Sequence, residues 1–240
     1  MNDRNPRFKR ILLKLSGESL AGEDKAGISP EILNYFVREV EKTHELGVQI
    51  GIVIGGGNIF RGISSGAVHM DRTTADHMGM LATVINSLAL KDALVSRGLP
   101  AVVLSAVRTD GITEFYSIPK ARKLLEENHI VIVAGGTGNP YFTTDTAAVL
   151  RAIEIQAGVI LKGTRVDGVY NADPEKVEDA FRFDKLTYME VVKKGLKVMD
   201  TTAITLSMEN NLPIIVFNFD KADNLQRIVR GDSIGTIVRR

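Results

Sequence analysis

Short apolar runs alternate with helical patterns along the whole chain, and this alternation restricts the possible folds more than any other feature. The runs are Arg10–Leu15, Gln49–Ile54, 101–104, 130–133, 159–161 and 213–217. Each is apolar at nearly every position, as strands covered on both faces must be, and strands separated by helices connect as parallel neighbours. The clearest helical pattern spans about 30–46. Ser29 can cap it, Pro30 suits its first turn, Gly47 follows its end, and Ile32, Leu33, Phe36, Val37 and Val40 recur at spacings of three and four. A second pattern, about 74–97, repeats Met78, Leu81, Ile85, Leu88 and Leu94 before Gly98. Shorter ones occupy 117–126, 144–157, 188–194, 201–210 and 223–230. The expected fold class is α/β, a mostly parallel sheet covered by helices, in one domain over 1–240 with no linker, repeat or low-complexity tract.

Composition excludes several classes of function. The 240 residues contain no Cys, so a disulfide framework, a thiolate metal site and a cysteine nucleophile are ruled out. Lys plus Arg number 30 and Asp plus Glu 29, and a formal net charge of +1 gives no basis for holding a nucleic acid polymer. Any anion must be bound locally. The charged N-terminal residues lead into no apolar leader, and no later stretch approaches the ~18 to 20 apolar residues of a membrane span, so a cytoplasmic location without a membrane partner is the expectation.

Glycine-bearing turns follow the strand-like runs at Leu15-Ser16-Gly17-Glu18, Gly55-Gly56-Gly57-Asn58 and Gly135-Gly136-Thr137-Gly138-Asn139. Beyond the carboxyl ends of strands in an open α/β sheet, glycine lets backbone N–H groups approach phosphate closely. A single such turn is as easily a tight connection. Their recurrence at equivalent places points to phosphate. There is no GxxxxGK[ST] loop, and Gly55 to Gly57 does not continue as GxGxxG.

Bringing two phosphorylated molecules together requires cations. Lys14, Arg61 and Lys162 stand at or just after strand ends, although a lysine in such a place can simply reach solvent. Asp145, at a helix start, reads equally as a cap or as a functional carboxylate; Asp76 and Asp173 are weak signals alone, and Asp200 reads as a cap. His44, His69, His77 and His129 show no metal-ligand spacing, and Met78 and Met80 read as core.

The motifs, in order, are KLSGE at 14–18, GGGNIFRG at 55–62, ADHMGMLAT at 75–83, TGNPYFTTD at 137–145, VDGVYNADP at 166–174 and KVMD at 197–200. In this order they carry a match over nearly the whole chain, which resembles the bacterial uridylate (UMP) kinases of the amino-acid-kinase superfamily. The resemblance implies a three-layer α/β/α sandwich, ATP-dependent conversion of UMP to UDP in pyrimidine nucleotide biosynthesis, Mg²⁺ carried mainly by nucleotide phosphates with no protein metal site, and a homohexamer controlled by GTP and UTP. Lys14, Leu15, Ser16, Gly17, Gly57, Arg61, Thr164, Tyr170 and Asp173 match positions that bind ATP. Gly56, Asp76, Thr137, Gly138, Asn139, Pro140, Tyr141, Phe142, Thr143 and Thr144 match positions that bind UMP. The segment from Gly22 to Gly27 corresponds to a loop linked to GTP activation. Lys14, Arg61, Asp145 and Lys162 are the expected catalytic residues, acting by position and charge without a covalent intermediate. A kinase acting on a carboxylate and a nucleotide sensor without turnover are the alternatives.

Overall fold

Alternation within each apolar run sends successive side chains to opposite faces of a sheet, and both faces here find helices to cover them. The structure, a computed structural model, describes residues 5–22, 26–61 and 70–240. Part of the 22–27 loop, together with Gly62 and His69, lies outside the described residues. The strands are β1 (Arg10–Leu15), β2 (Gln49–Ile54), β3 (Ala101–Ser105), β4 (Glu114–Phe115), β5 (Ile130–Ala134), β6 (Ile160–Thr164), β7 (Val169–Tyr170), β8 (Arg182–Phe183), β9 (Lys185–Thr187), β10 (Ile214–Asn218) and β11 (Thr236–Arg239). The helices are α1 (Pro30–His44), α2 (Arg72–Ser96), α3 (Ile118–Glu126), α4 (Thr144–Glu154), α5 (Tyr188–Lys193), α6 (Thr201–Glu209) and α7 (Asn224–Val229), and a 3-10 turn spans Gly17–Leu20.

The main sheet has nine strands in the order β4-β3-β5-β2-β1-β6-β10-β11-β9, parallel throughout except where β11 runs antiparallel to β10. β7 and β8 form a separate antiparallel pair. Ile11, Leu13 and Leu15 of β1, with Ile50, Ile52 and Ile54 of β2, face α1, α2 and α7. Leu12, Val53, Val131 and Ile160 point the other way, against α3, α4, α5 and α6. The result is the three-layer α/β/α sandwich. Chain connections leave β1 toward β2 on one side and reach β6 on its other side, so β1 sits where the strand order reverses and where open α/β sheets bind ligands.

Two expectations change. Only the end of the apolar repeat read along the second helix is buried: Leu94 lies in the core and Leu88 packs partly buried against it, whereas Met78, Leu81 and Ile85 are 38%, 49% and 49% exposed; Met80 is buried as expected. The buried face carries Thr83, Asn86 and Ser87 beside Val84, Leu90 and Leu94. Small side chains allow α2 to lie close to the sheet and the glycine turns. The many aliphatic residues of α2 give it a mean hydropathy of 1.4, so by length and composition it passes for a membrane span, contrary to the sequence expectation. Its burial against β3 and β5 accounts for it as a core helix. The sequence reading also missed β4, β7, β8, β9 and β11, which are too short for any periodicity to register.

Gly235, just ahead of β11, adopts φ +80°, and a Cβ there would collide with the Val216 carbonyl oxygen of β10. Gly47, after α1, has φ +76° with open space around it. Gly235→Ala should therefore cost more than the ~1 to 2 kcal/mol of left-handed strain alone, and Gly47→Ala should cost only about that strain. Urea unfolding of the two variants beside the parent measures both; equal losses would mean that the β10 contact yields without cost.

Candidate active site

The face of the sheet that packs on α4 stops being apolar at one level. On β1, Leu12 is followed two residues later by Lys14, and on β6, Ile160 by Lys162; each lysine thus continues an inward-facing row. Lys14 and Lys162 are register partners in adjacent strands, so their side chains emerge side by side. The N-terminus of α4 meets them there. Thr143 caps that helix, its hydroxyl oxygen accepting the N–H groups of Asp145 and Thr146. Asp145 is therefore not the cap. Its Oδ1 lies 2.7 Å from Lys14 Nζ and its Oδ2 2.9 Å from Lys162 Nζ. Burial alone would raise the Asp145 pKa, but the two ammonium groups hold it below the ordinary carboxylate value. Lys162 is shifted down, by burial first and by its Lys14 neighbour, against the pull of Asp145. Its Nζ also donates to the Val198 carbonyl at 2.5 Å.

On the Lys162 side opens a cleft of about 410 Å³ lined by Lys162, Thr164, Tyr170, Asp173, Lys197 and Val216, among others. Three of the expected donor-side residues thus share one cavity. The Thr164 hydroxyl donates to the Val166 carbonyl at 2.7 Å, Tyr170 Oη to Asp167 Oδ1 at 2.5 Å, and Asp173 accepts the Glu175 N–H at 3.1 Å. Leu15 is in the core and offers only backbone, its carbonyl accepting the Gly55 N–H. Ser16 begins the 3-10 turn, and Gly17 is pressed so closely on Gly55 and the Asn58 amide that a Cβ has no room. The first two glycine turns are therefore packed against each other.

A second cleft, also about 410 Å³, opens beyond Thr144, the residue before Asp145. Gly56, Gly57, Arg61, Asp76, Thr137, Phe142, Thr143 and Thr144 line it, as do Arg72 and Thr83. Arg61 pairs with Glu18 at 2.5 Å. Asp76 accepts the Tyr141 backbone N–H at 2.7 Å and pairs with Arg72 at 2.9 Å, fastening α2 to the loop ahead of α4. Gly138, Asn139, Pro140 and Tyr141 belong to that loop without lining this cleft. Gly138 closes the turn by donating to the Gly135 carbonyl, and Asn139 lines a neighbouring cavity with Leu150 and Thr205.

Sequence reasoning missed Lys194 and Lys197 in the first cleft and Arg72 in the second. It also missed the polar side chains that hold the turns: Thr83 Oγ1 accepts the Gly135 N–H at 2.8 Å, and Asn86 Nδ2 donates to the Gly55 carbonyl at 2.7 Å. Their one visible signal is polar residues three apart in an otherwise apolar helix. Asp200 caps α6 as expected, accepting the Ala203 N–H at 2.9 Å, but it also accepts the hydroxyls of Thr143 and Thr146. Among the described residues, no histidine lines either cleft.

Residues 9–218 match the model of the amino acid kinase family. The uridylate kinase of Bacteroides thetaiotaomicron is 59% identical over 97% of this chain and 98% of its own length, and that of Phocaeicola vulgatus 58% identical over the same shares. Among solved structures, UMP kinase from Bacillus anthracis superposes with a TM-score of 0.94 at 38% identity, covering 97% of this chain and 96% of that one. Motif order, sandwich fold and a lysine–aspartate–lysine cluster that borders one cleft through Lys162 and stands one residue from Thr144 of the other agree with these matches: the chain belongs to the amino acid kinase family, in its uridylate kinase branch.

Proposed function

We propose that the chain transfers the γ-phosphoryl group of ATP to UMP, giving ADP and UDP, in pyrimidine nucleotide biosynthesis in the cytoplasm. The observation that carries this reading is the Lys14–Asp145–Lys162 cluster, whose Lys162 lines one cleft and whose Asp145 follows Thr144, which lines the other. ATP occupies the Lys162 side and UMP the Asp76 side. The acceptor is already an anionic phosphate oxygen, so it attacks in line without a general base. Charge is the obstacle, and Lys14, Lys162 and Arg61 offset it on the equatorial oxygens of the transferring group. Asp145 keeps both ammonium groups aimed at one point, and backbone N–H groups of the glycine turns fix the flanking phosphates. Among the described residues no cluster of three metal-ligating side chains occurs, and the Asp145 carboxylate is engaged by two lysines. Mg²⁺ bound with the nucleotide would supply further charge neutralisation beside Lys14 and Lys162.

The assembly we propose is a homohexamer responsive to GTP and UTP. Support comes from α2, whose outward Met78, Leu81, Ile85 and Val95 form an apolar stripe suited to a second copy. A sensor without turnover needs only one nucleotide cleft, whereas donor-side and acceptor-side residues are both present.

UMP-dependent ADP release, followed with and without GTP and UTP, tests reaction, acceptor and regulation together; release with an amino acid instead of UMP would favour a carboxylate kinase. Lys14→Ala should lower kcat by about 10²- to 10³-fold, the usual loss for one preorganised electrostatic donor, and near-normal turnover would remove Lys14 from the mechanism. Because Lys162 sheds its proton below the ordinary lysine value of 10.5, ATP affinity in metal-free titrations should weaken as pH rises toward 10.5. Lys162→Arg, charged at every accessible pH, should flatten that decline. Ile85→Asp should reduce the mass measured by light scattering if α2 is a contact between copies.

A further inference from the structure

Arg151 lies on α4, in its C-terminal half, and is only 4% exposed. A guanidinium buried this deeply must be paired and hydrogen-bonded to be tolerated. One arm is paired: Nη1 lies 2.6 Å from Glu154 Oε2, and Tyr116 Oη donates to the same oxygen at 2.8 Å. The guanidinium carbon stands 4.3 Å from the centre of the Tyr116 ring. The other arm leaves this cluster. Nη2 donates to the carbonyl oxygens of Gly136 and Thr137, at 3.2 Å each.

Those carbonyls belong to the turn that lines the acceptor cleft. A peptide unit is planar and trans, so fixing the Gly136 carbonyl toward Arg151 turns the N–H of Thr137 away from the guanidinium. The turn has little stiffness of its own, since Gly135, Gly136 and Gly138 all have positive φ and glycine is free to leave that conformation. Arg151 also sits on the helix whose first turn carries Asp145, so its fork joins the acceptor turn to the carboxylate that aligns the two lysines.

We propose that Arg151 is the positioning residue of the acceptor turn, holding the Gly136 and Thr137 peptides in the orientation that receives the phosphorylated acceptor. This rests on the UMP-kinase reading above. Glu154 serves a different purpose: it balances the buried charge without touching the turn. The two residues therefore separate positioning from stability.

The test measures KM for UMP, KM for ATP, kcat and Tm in the full-length parent, Arg151→Lys, Arg151→Met and Glu154→Gln. Lysine keeps a cation beside Glu154 but has no planar fork to hold two carbonyls, which keeps the test available if Arg151→Met does not fold. The expected result for Arg151→Lys is a rise in KM for UMP of about tenfold, the size of one lost charge-assisted hydrogen bond, with a lower kcat and KM for ATP within about twofold. Glu154→Gln should lower Tm while keeping KM for UMP within about twofold. The proposal is overturned if Arg151→Lys keeps the parental KM for UMP, if both KM values rise together, or if Glu154→Gln raises KM for UMP as much as Arg151→Lys does. Absence of UMP-dependent turnover in the parent itself would instead sink the functional reading on which it rests.

Discussion

One buried carboxylate between two lysines organises this protein. Asp145 engages Lys14 and Lys162, and that single contact ties β1, β6 and α4 together at the carboxyl ends of the strands. Like charges on neighbouring strands repel in a largely buried site, and the carboxylate makes their proximity tolerable. The cluster gathers two lysines around one carboxylate, with Lys162 lining one cleft and Asp145 next to Thr144 of the other. A site that must accept phosphate from one side and deliver it to the other needs charge that is fixed in advance, because reorganising it during reaction would raise the barrier.

The surrounding polar contacts follow from the need to hold backbone turns that have no rigidity of their own. Asn86 grips the second glycine turn, Thr83 and Arg151 the third, and Asp76 the loop ahead of α4. All are anchored on α2 or α4, the two helices whose inner faces reach the site. Asn58 and Asn86 exchange side-chain hydrogen bonds in the interior, and Asn58 also donates to the Gly27 carbonyl, so the edge of the 22–27 loop is joined to the same network. Buried amides paired in this reciprocal way satisfy one another and specify a single arrangement.

α2 shows how far a sequence pattern can mislead. Its apolar repeat is real, but the helix buries a polar and small-residue face because that face must approach the glycine turns: a Cβ on Gly56 would meet Ala82 and the Gly79 carbonyl. Met78, Leu81, Ile85 and Val95 are left outward, while Met80, Val84, Leu90 and Leu94 stay inside. Helical periodicity reports that one face is apolar, and it cannot tell a core from a contact between copies. Likewise Asp145 read equally as a cap or a catalytic group, because the choice depends on Thr143 taking the cap and on two lysines distant in sequence arriving at the same point.

The sequence by itself determined the α/β class, the positions of the long strands, the caps of α1 and α6, and the residues of the glycine-bearing turns, because each rests on periodicity or chemistry local to a few neighbours. Motif order also carried the family. Only the tertiary structure decided that Lys14 and Lys162 are register partners, that Asp145 joins them, that Asp200 binds Thr143 and Thr146 besides capping, and that Arg151 reaches back to Gly136 and Thr137. Those contacts depend on strand order, with β6 beside β1, and on how α4 lies across the sheet. No local pattern encodes either, since both arise from packing two apolar faces at once.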